Sequence, residues 1–431
     1  MNLNPIAIGI RWAGGGVYSP SLFLDFANTS LSLDSRITFS RASNATYFDS
    51  TGTLQTAGNN VARSNAFQDY NPSTLAPLGF LIEEQRTNSI RNNTMQGGSA
   101  GVLPTNYASS FTIDGLTLTI SAPSSISGIE YIDLRINGTT TNARTNIALV
   151  VFETTTQVAA SSGQTWTNSS FVSLAAGSMT NVTSVGIQIS ERNGAGAYLV
   201  DSTTLFTPLA SALPTQRQSV TRTLNQATTA YVQPTVVVSY SSGAAIDITL
   251  RIGLPQLEQG AFATSVIKTT AAAATRLADS ASITGANFTG FWNATEGTIV
   301  ADSSTQSSTG NSFAIQVSDN SYNNRIVVGQ DASTAVGQVI VAGSVTLTPT
   351  SNPARTSSMR KTAFSFIANR ANLAAGGTLA TADTTGAMVT GMTQINFGSD
   401  HAGFNSLNGR LKSVAYYLSA LSDPTIQSLN A

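Results

Sequence analysis

The chain alternates. In Ala245–Leu254 (AIDITLRIGL), Ile246, Ile248, Leu250, Ile252 and Leu254 fall on one face, with Asp247, Thr249 and Arg251 on the other. Period two over so long a run predicts a half-buried strand. YIDLRING repeats the pattern with Ile132, Leu134 and Ile136 inward, and SVGIQIS does so with Val185, Ile187 and Ile189. Further runs lie in GTIVADS, RIVVGQ, QVIVAG and TAFSFIAN, separated by clusters of Gly, Asn, Ser and Thr. That rhythm predicts an all-β protein built as antiparallel sandwiches. The best helix candidate is the C-terminal LSDPTIQSLNA, where Ser422 or Asp423 can cap and Pro424 suits the first turn.

Two shifts in composition suggest boundaries, one after LIEEQRTNSIRNNTMQGG and one in IKTTAAAATRLADSASI. The second reads as a linker between sandwiches rather than a helix, although Ala favours the helical state. No collagen-like triplet, heptad or other fixed repeat is present.

Charge narrows the function classes. Only 10% of the residues are charged, and 21 basic residues are scattered among 22 acidic ones for a net charge of −1. No basic patch is available to neutralise phosphates, which argues against nucleic acid as a partner. The absence of cysteine removes disulfides, thiolate nucleophiles and Cys-based zinc sites. No run of about 18 apolar residues predicts membrane insertion, and the first residues lack the basic and apolar regions of a signal peptide.

The stretch SLFLDFANTSLSLDSRITFSRASNATYFDSTGTLQTAGNNVARSNAFQDYNPSTLAPLGFLIEEQRTNSI carries an ordered set of positions: Arg36, Phe39, Arg41, Ala42, Ser43, Thr46, Tyr47, Gly52, Arg63, Tyr70, Gly79, Leu81, Glu83, Glu84, Arg86, Thr87 and Asn88. In that order it resembles a segment common in virion proteins of tailed bacteriophages. Asp49 to Gly52 supplies a turn, and Arg41, Arg63, Glu83, Glu84 and Arg86 are sequence-distant charges able to pair. Glu83 and Glu84 are adjacent and would point to opposite faces of a strand, so a catalytic carboxylate pair is the weaker reading.

Further on, Pro255, Gln256, Leu257, Glu258, Gly260, Ala263, Thr264, Ser265, Ile267 and Thr269 resemble the terminal strand of carbohydrate-binding-module-like jelly rolls. The close, with Leu407, Asn408, Gly409, Arg410, Leu411, Val414, Tyr416, Tyr417, Leu418, Leu421 and Ser422, is similar to the last strand of concanavalin A-like, laminin-G-like sandwiches. The resemblances imply three parts: an N-terminal arm and virion-attachment segment over 1–88, a jelly roll over 89–270 and a concanavalin A-like sandwich over 271–431.

The function they imply is that of a non-enzymatic structural protein on the phage particle surface, a fibre, spike or decoration. It would be a homo-oligomer held to other virion proteins through its first segment, with host-surface polysaccharide as candidate ligand. The competing readings are a virion depolymerase and a prophage-encoded adhesin. A depolymerase needs two carboxylates flanking one bond, and the last part offers Asp279, Glu296, Asp302, Asp319, Asp331, Asp383, Asp400 and Asp423 without a visible cluster.

The remaining chemistry is sparse. His401, the one histidine, beside Asp400 reads as a polar loop rather than a catalytic or metal pair, because a zinc site needs more ligands. WAGGG at Trp12 to Gly16 lacks the lysine of a phosphate-binding loop and reads as a flexible joint. No catalytic residue and no cofactor is expected; calcium is the one candidate ion, through Asp302, Asp319 and Asn320. Sugar stacking needs a flat apolar ring with polar edges. Trp166, Trp292, Tyr322 and Tyr416 are the candidate glycan contacts, among aromatics that also include Tyr131, Tyr198, Phe404 and Tyr417.

Overall fold

The computed structural model describes residues 18–109, 111 and 114–430. Of the apolar arm expected over Ile6–Trp12 and Val17–Phe26 as strands or anchors for a neighbouring subunit, Ile6–Trp12 and Val17 lie outside the described residues, as does the joint Trp12–Gly16. The regular structure is almost all antiparallel sheet, as the alternation predicts, arranged in two sandwiches.

The jelly roll packs two sheets face to face. One runs in the order Arg144–Val151, Tyr231–Tyr240, Val182–Arg192, Tyr198–Phe206; the other in the order Arg217–Thr223, Thr165–Gly177, Ala245–Gln259, Ile129–Thr139, Leu116–Ile120. Ile132, Leu134 and Ile136 meet Val185, Ile187 and Ile189 in its core, together with Ile246, Ile248, Leu250 and Ile252. Leu254 departs from the expected face. The pairing of Thr165–Gly177 with Ala245–Gln259 shifts register between Ser169 and Phe171, Leu254 takes φ 39°, and its side chain packs with Phe171 and Leu213 in a separate cluster. A bulge re-aims the residues beyond it, and here it builds a seat for another part of the chain.

That part is a hairpin of the first segment. Ala45–Phe48 pairs with Leu54–Ala57, closed by the expected turn, in which the Gly52 amide donates to the Asp49 carbonyl at 2.9 Å and Gly52 has φ 75°. Phe48 and Leu54 pack against Ile129, Phe171 and Leu254 on the jelly roll.

The rest of the first segment is built into the C-terminal sandwich. Leu22–Asp25 and Phe80–Ile82 both pair with Gly409–Tyr417 in a sheet that continues through Glu296–Thr305, Arg360–Ile367 and Arg370–Ala375. Thr38–Ser40 pairs with Ser280–Thr284 at the edge of the opposing sheet, which runs on through Gln394–Phe397, Ser312–Ser318, Arg325–Gln330, Ala335–Val341 and Ser344–Leu347. Leu22, Leu24, Phe26, Phe80 and Ile82 are buried in the core of this sandwich with Ile283, Phe364 and Leu411. Residues 18–88 are therefore shared between two bodies, because their short apolar strands bury themselves only against sheets supplied later in the chain.

The stretch expected as a linker is extended: Ala274–Arg276 pairs with Arg86–Asn88 between the sandwiches. The C-terminal helix spans Asp423–Leu429 with Ser422 at its N-cap and Pro424 in the first turn.

Candidate functional site

The charges of the first segment meet in the interior. Arg41 Nη1 lies 2.9 Å from Asp279 Oδ1, Arg63 Nη2 lies 2.6 Å from Asp279 Oδ2, and Arg63 Nη1 lies 2.7 Å from Glu83 Oε2. Arg276 approaches Glu83 Oε2 at 3.5 Å. Ser265, in the closing stretch of the jelly roll, donates to Glu83 through its hydroxyl and its amide. All five charged groups are buried. Burial alone would raise the Glu83 carboxyl, but the Arg276 and Arg63 guanidiniums and the Ser265 donors hold it well below the usual carboxylate range. Glu84 points elsewhere, to Arg86 and to the Asn408 side chain. The arrangement joins the first segment, the jelly roll and the C-terminal sandwich at one point, and Glu83 and Glu84 form no carboxylate pair.

Beside it a groove of about 500 Å³ runs between the end of the first segment and the jelly roll, lined by Glu84, Gln85, Arg86, Thr165, Trp166 and Gln259. Trp166 is 5% exposed, packs in the jelly-roll core and donates its indole N–H to Gln164, so almost none of its ring is available for stacking on a sugar.

The other candidate glycan contacts separate sharply. Tyr416 is 1% exposed, and Trp292 stacks on it with ring centres 4.8 Å apart and also on Phe288 and Phe366. Tyr416 belongs to the core of the C-terminal sandwich, and Trp292, partly buried, packs against that core. Tyr322 lies outside, 43% exposed, with Phe404 67% exposed.

Tyr322 and Phe404 project from two loops at one end of the sandwich, the turn 319–324 between Ser312–Ser318 and Arg325–Gln330 and the loop 398–408 after Gln394–Phe397. The loops are tied by Asp400. Its Oδ1 accepts from the amides of Ala402 at 3.0 Å and Phe404 at 2.8 Å; its Oδ2 accepts from Asn405 Nδ2 at 2.8 Å and the Tyr322 hydroxyl at 3.3 Å. The His401 ring sits edge-on to Tyr322, centres 4.4 Å apart. Arg325 lies over the Tyr322 ring at 5.3 Å and donates to the Tyr322 carbonyl. The expected polar loop at Asp400 and His401 is thus the frame that holds an exposed aromatic pair. Tyr198 is also exposed, but it stands on the jelly roll with its hydroxyl bound to Asp201.

All but Asp302 of the acids of this sandwich have hydrogen-bond or ion-pair partners. Asp279 is in the buried cluster, Glu296 accepts from the Ala420 amide, Asp331 from the Ser333 and Thr334 amides, Asp383 from the Thr348 amide, and Asp423 pairs with Arg370. Asp302 stands in one sheet, raised by burial and moderated by Lys412 and Lys361. Asp319 and Asn320 stand in a turn at the end of a strand of the other sheet, Asp319 accepting from Ser321 and Asn324. No group of three or more metal-binding His, Cys, Asp or Glu occurs among the described residues.

No protein-family model matches the chain, and no curated protein does. Among solved structures, the CBM40 of Ruminococcus gnavus IT-sialidase bound to α2,3-sialyllactose aligns over 32% of this chain and 84% of its own, at 16% identity and TM-score 0.28. The tandem CBM22-1–CBM22-2 domain of Paenibacillus barcinonensis Xyn10C aligns over 77% of this chain and 96% of its own, at 11% identity and TM-score 0.25.

Proposed function

We propose that the protein is a non-enzymatic structural component of a tailed-phage particle surface, and that its C-terminal sandwich contacts host glycans through Tyr322 and Phe404. The observation that carries the glycan reading is the exposed pair itself. Two aromatic side chains stand in solvent on loops pinned by a carboxylate that accepts four hydrogen bonds, so their geometry is set before a ligand arrives and little ordering cost attends binding.

The virion reading rests on the resemblance of residues 21–90. The way those residues are locked into both sandwiches supports it, since a particle-surface protein must transmit load between its parts. That all but Asp302 of the acids of the C-terminal sandwich are engaged in turns, ion pairs and backbone contacts, leaving no second free carboxylate to pair with it among the described residues, favours binding over glycoside hydrolysis.

The test pairs immunogold labelling of purified particles with binding of the recombinant chain to host surface polysaccharide. Label on the particle exterior and retention on the polysaccharide are expected. Tyr322→Ala and Phe404→Ala should each weaken retention about tenfold, the factor that corresponds to 1.4 kcal/mol. Unlabelled particles would overturn the virion assignment, and retention unchanged in both variants would overturn the glycan site.

A further inference from the structure

At the corner that holds Tyr322 the carboxylates are engaged more fully than the guanidinium. Asp400 is buried and both of its oxygens already accept two hydrogen bonds each. Asp319 has one oxygen occupied by Ser321 at 2.6 Å and the other by Asn324 at 2.8 Å. The one cation here is only partly engaged. Among the described residues Arg325 makes no salt bridge; its Nη1 donates to the Tyr322 carbonyl, its Nη2 donates to no protein group, and its Nε is buried without a partner. The buried Nδ1 of His401 also has no hydrogen-bond partner among the described residues.

We propose that this site selects acidic saccharides, with a ligand carboxylate or phosphate received by Arg325 while the sugar ring packs on Tyr322 and Phe404. The inference rests on the glycan reading above and narrows it. A guanidinium with a free N–H edge matches a carboxylate or phosphate, and its charge is delocalised enough to remain over an aromatic ring while it binds. A neutral sugar would leave that edge to water. Asp400 has no capacity left to accept hydroxyl donors, whereas Arg325 still has Nη2 N–H groups to give.

The test measures binding of the intact chain to oligohexuronates, sialylated oligosaccharides and phosphate-bearing glycans, each beside a carboxyl-reduced or dephosphorylated counterpart of the same length. At least one acidic member should bind about tenfold or more tighter than its neutral counterpart, the gap expected of one charge-assisted contact. Rising salt should narrow that gap. Arg325→Gln should abolish the preference while Phe404→Ala weakens acidic and neutral members alike. Because Arg325→Gln removes a contact to the Tyr322 backbone, Arg325→Lys serves as its partner: it keeps the charge and should retain part of the preference. Equal binding of acidic and neutral members would overturn the acid selectivity and leave the glycan site standing. Binding of none would overturn both. If the source is a phosphate rather than a carboxylate, dephosphorylation removes binding and carboxyl reduction does not.

Discussion

Arg63 and Asp279 stand 216 residues apart in sequence and 2.6 Å apart in space, both buried, one in the first segment and the other at the start of the C-terminal sandwich. Asp279 also receives Arg41 and the Glu83 amide. Removing this carboxylate leaves Arg41 without an ionic partner and Arg63 with Glu83 alone, where water cannot reach them.

Asp279→Ala should therefore lower stability by about 3–5 kcal/mol, the usual cost of breaking one side of a buried ion pair. Asp247→Asn, which breaks the exposed pair with Arg135, should leave the unfolding transition where it is. Denaturant unfolding followed by fluorescence compares the two. Similar midpoints for both variants would mean that the buried cluster contributes nothing to holding the parts together.

The Glu83 carboxyl gives the same cluster a pH signature. Its value in the folded chain is held below that of the unfolded chain by Arg276, Arg63 and Ser265 against the opposing effect of burial. The folded state then binds the proton less readily than the unfolded one, so the contribution is full above about pH 5 and is lost progressively as the pH falls towards about 2. Glu83→Gln should be less stable than the parent at neutral pH and should lose less stability over that interval. Melting temperatures taken across the acid range decide it; parallel profiles would count against the cluster as the source of acid sensitivity.

How far the sequence carries depends on what local pattern can encode. Ile132, Leu134, Ile136 and Ile246 to Ile252 are legible because strict alternation has one meaning in a two-layer sandwich. Leu254 is not, since its face depends on a bulge created by a partner strand some 80 positions away. Arg41, Arg63 and Glu83 could be named as charges able to pair, but Asp279 looked like one acid among several, and nothing local says that two arginines converge on it. The aromatics divide similarly. Tyr416 shares parity with Val414, a signal for the core; Trp292 follows a short helix, Gly285–Thr289, that the pattern does not announce. Arg325 went unmarked as a site residue, although a lone cation closing the polar turn SDNSYNNR was the available cue.

Gly260 illustrates a constraint visible only in three dimensions. Arg86 passes across its backbone to reach the Gln259 carbonyl, and a Cβ at Gly260 would lie 1.2 Å from Arg86 Nη1, with φ at +147°. Gly260→Ala should displace the guanidinium from its seat over Phe262 and cost about 1–3 kcal/mol, as overpacking does. In an Arg86→Ala background the same substitution should cost less, leaving the backbone strain alone. A double-mutant cycle measures the difference, and strictly additive effects would show that the two residues do not compete for space.

The last prediction separates exposed rings from buried ones by stability rather than by binding. Phe404 projects into solvent, so Phe404→Ala should leave the melting temperature within error of the parent. Trp292 lies among Phe288, Phe366 and Tyr416, and Trp292→Ala should cost about 3–5 kcal/mol because the stack cannot collapse around the missing indole. Tyr416→Phe keeps the ring and removes only the hydroxyl, which accepts from the Asn293 amide at 3.1 Å and has the Asn293 and Glu296 carbonyls within 3.2 Å; about 1 kcal/mol is expected, with the Asn293 amide losing its acceptor. Thermal unfolding orders the three. A Phe404→Ala variant as unstable as Trp292→Ala would make Phe404 a packing residue and remove the reason for placing a ligand there.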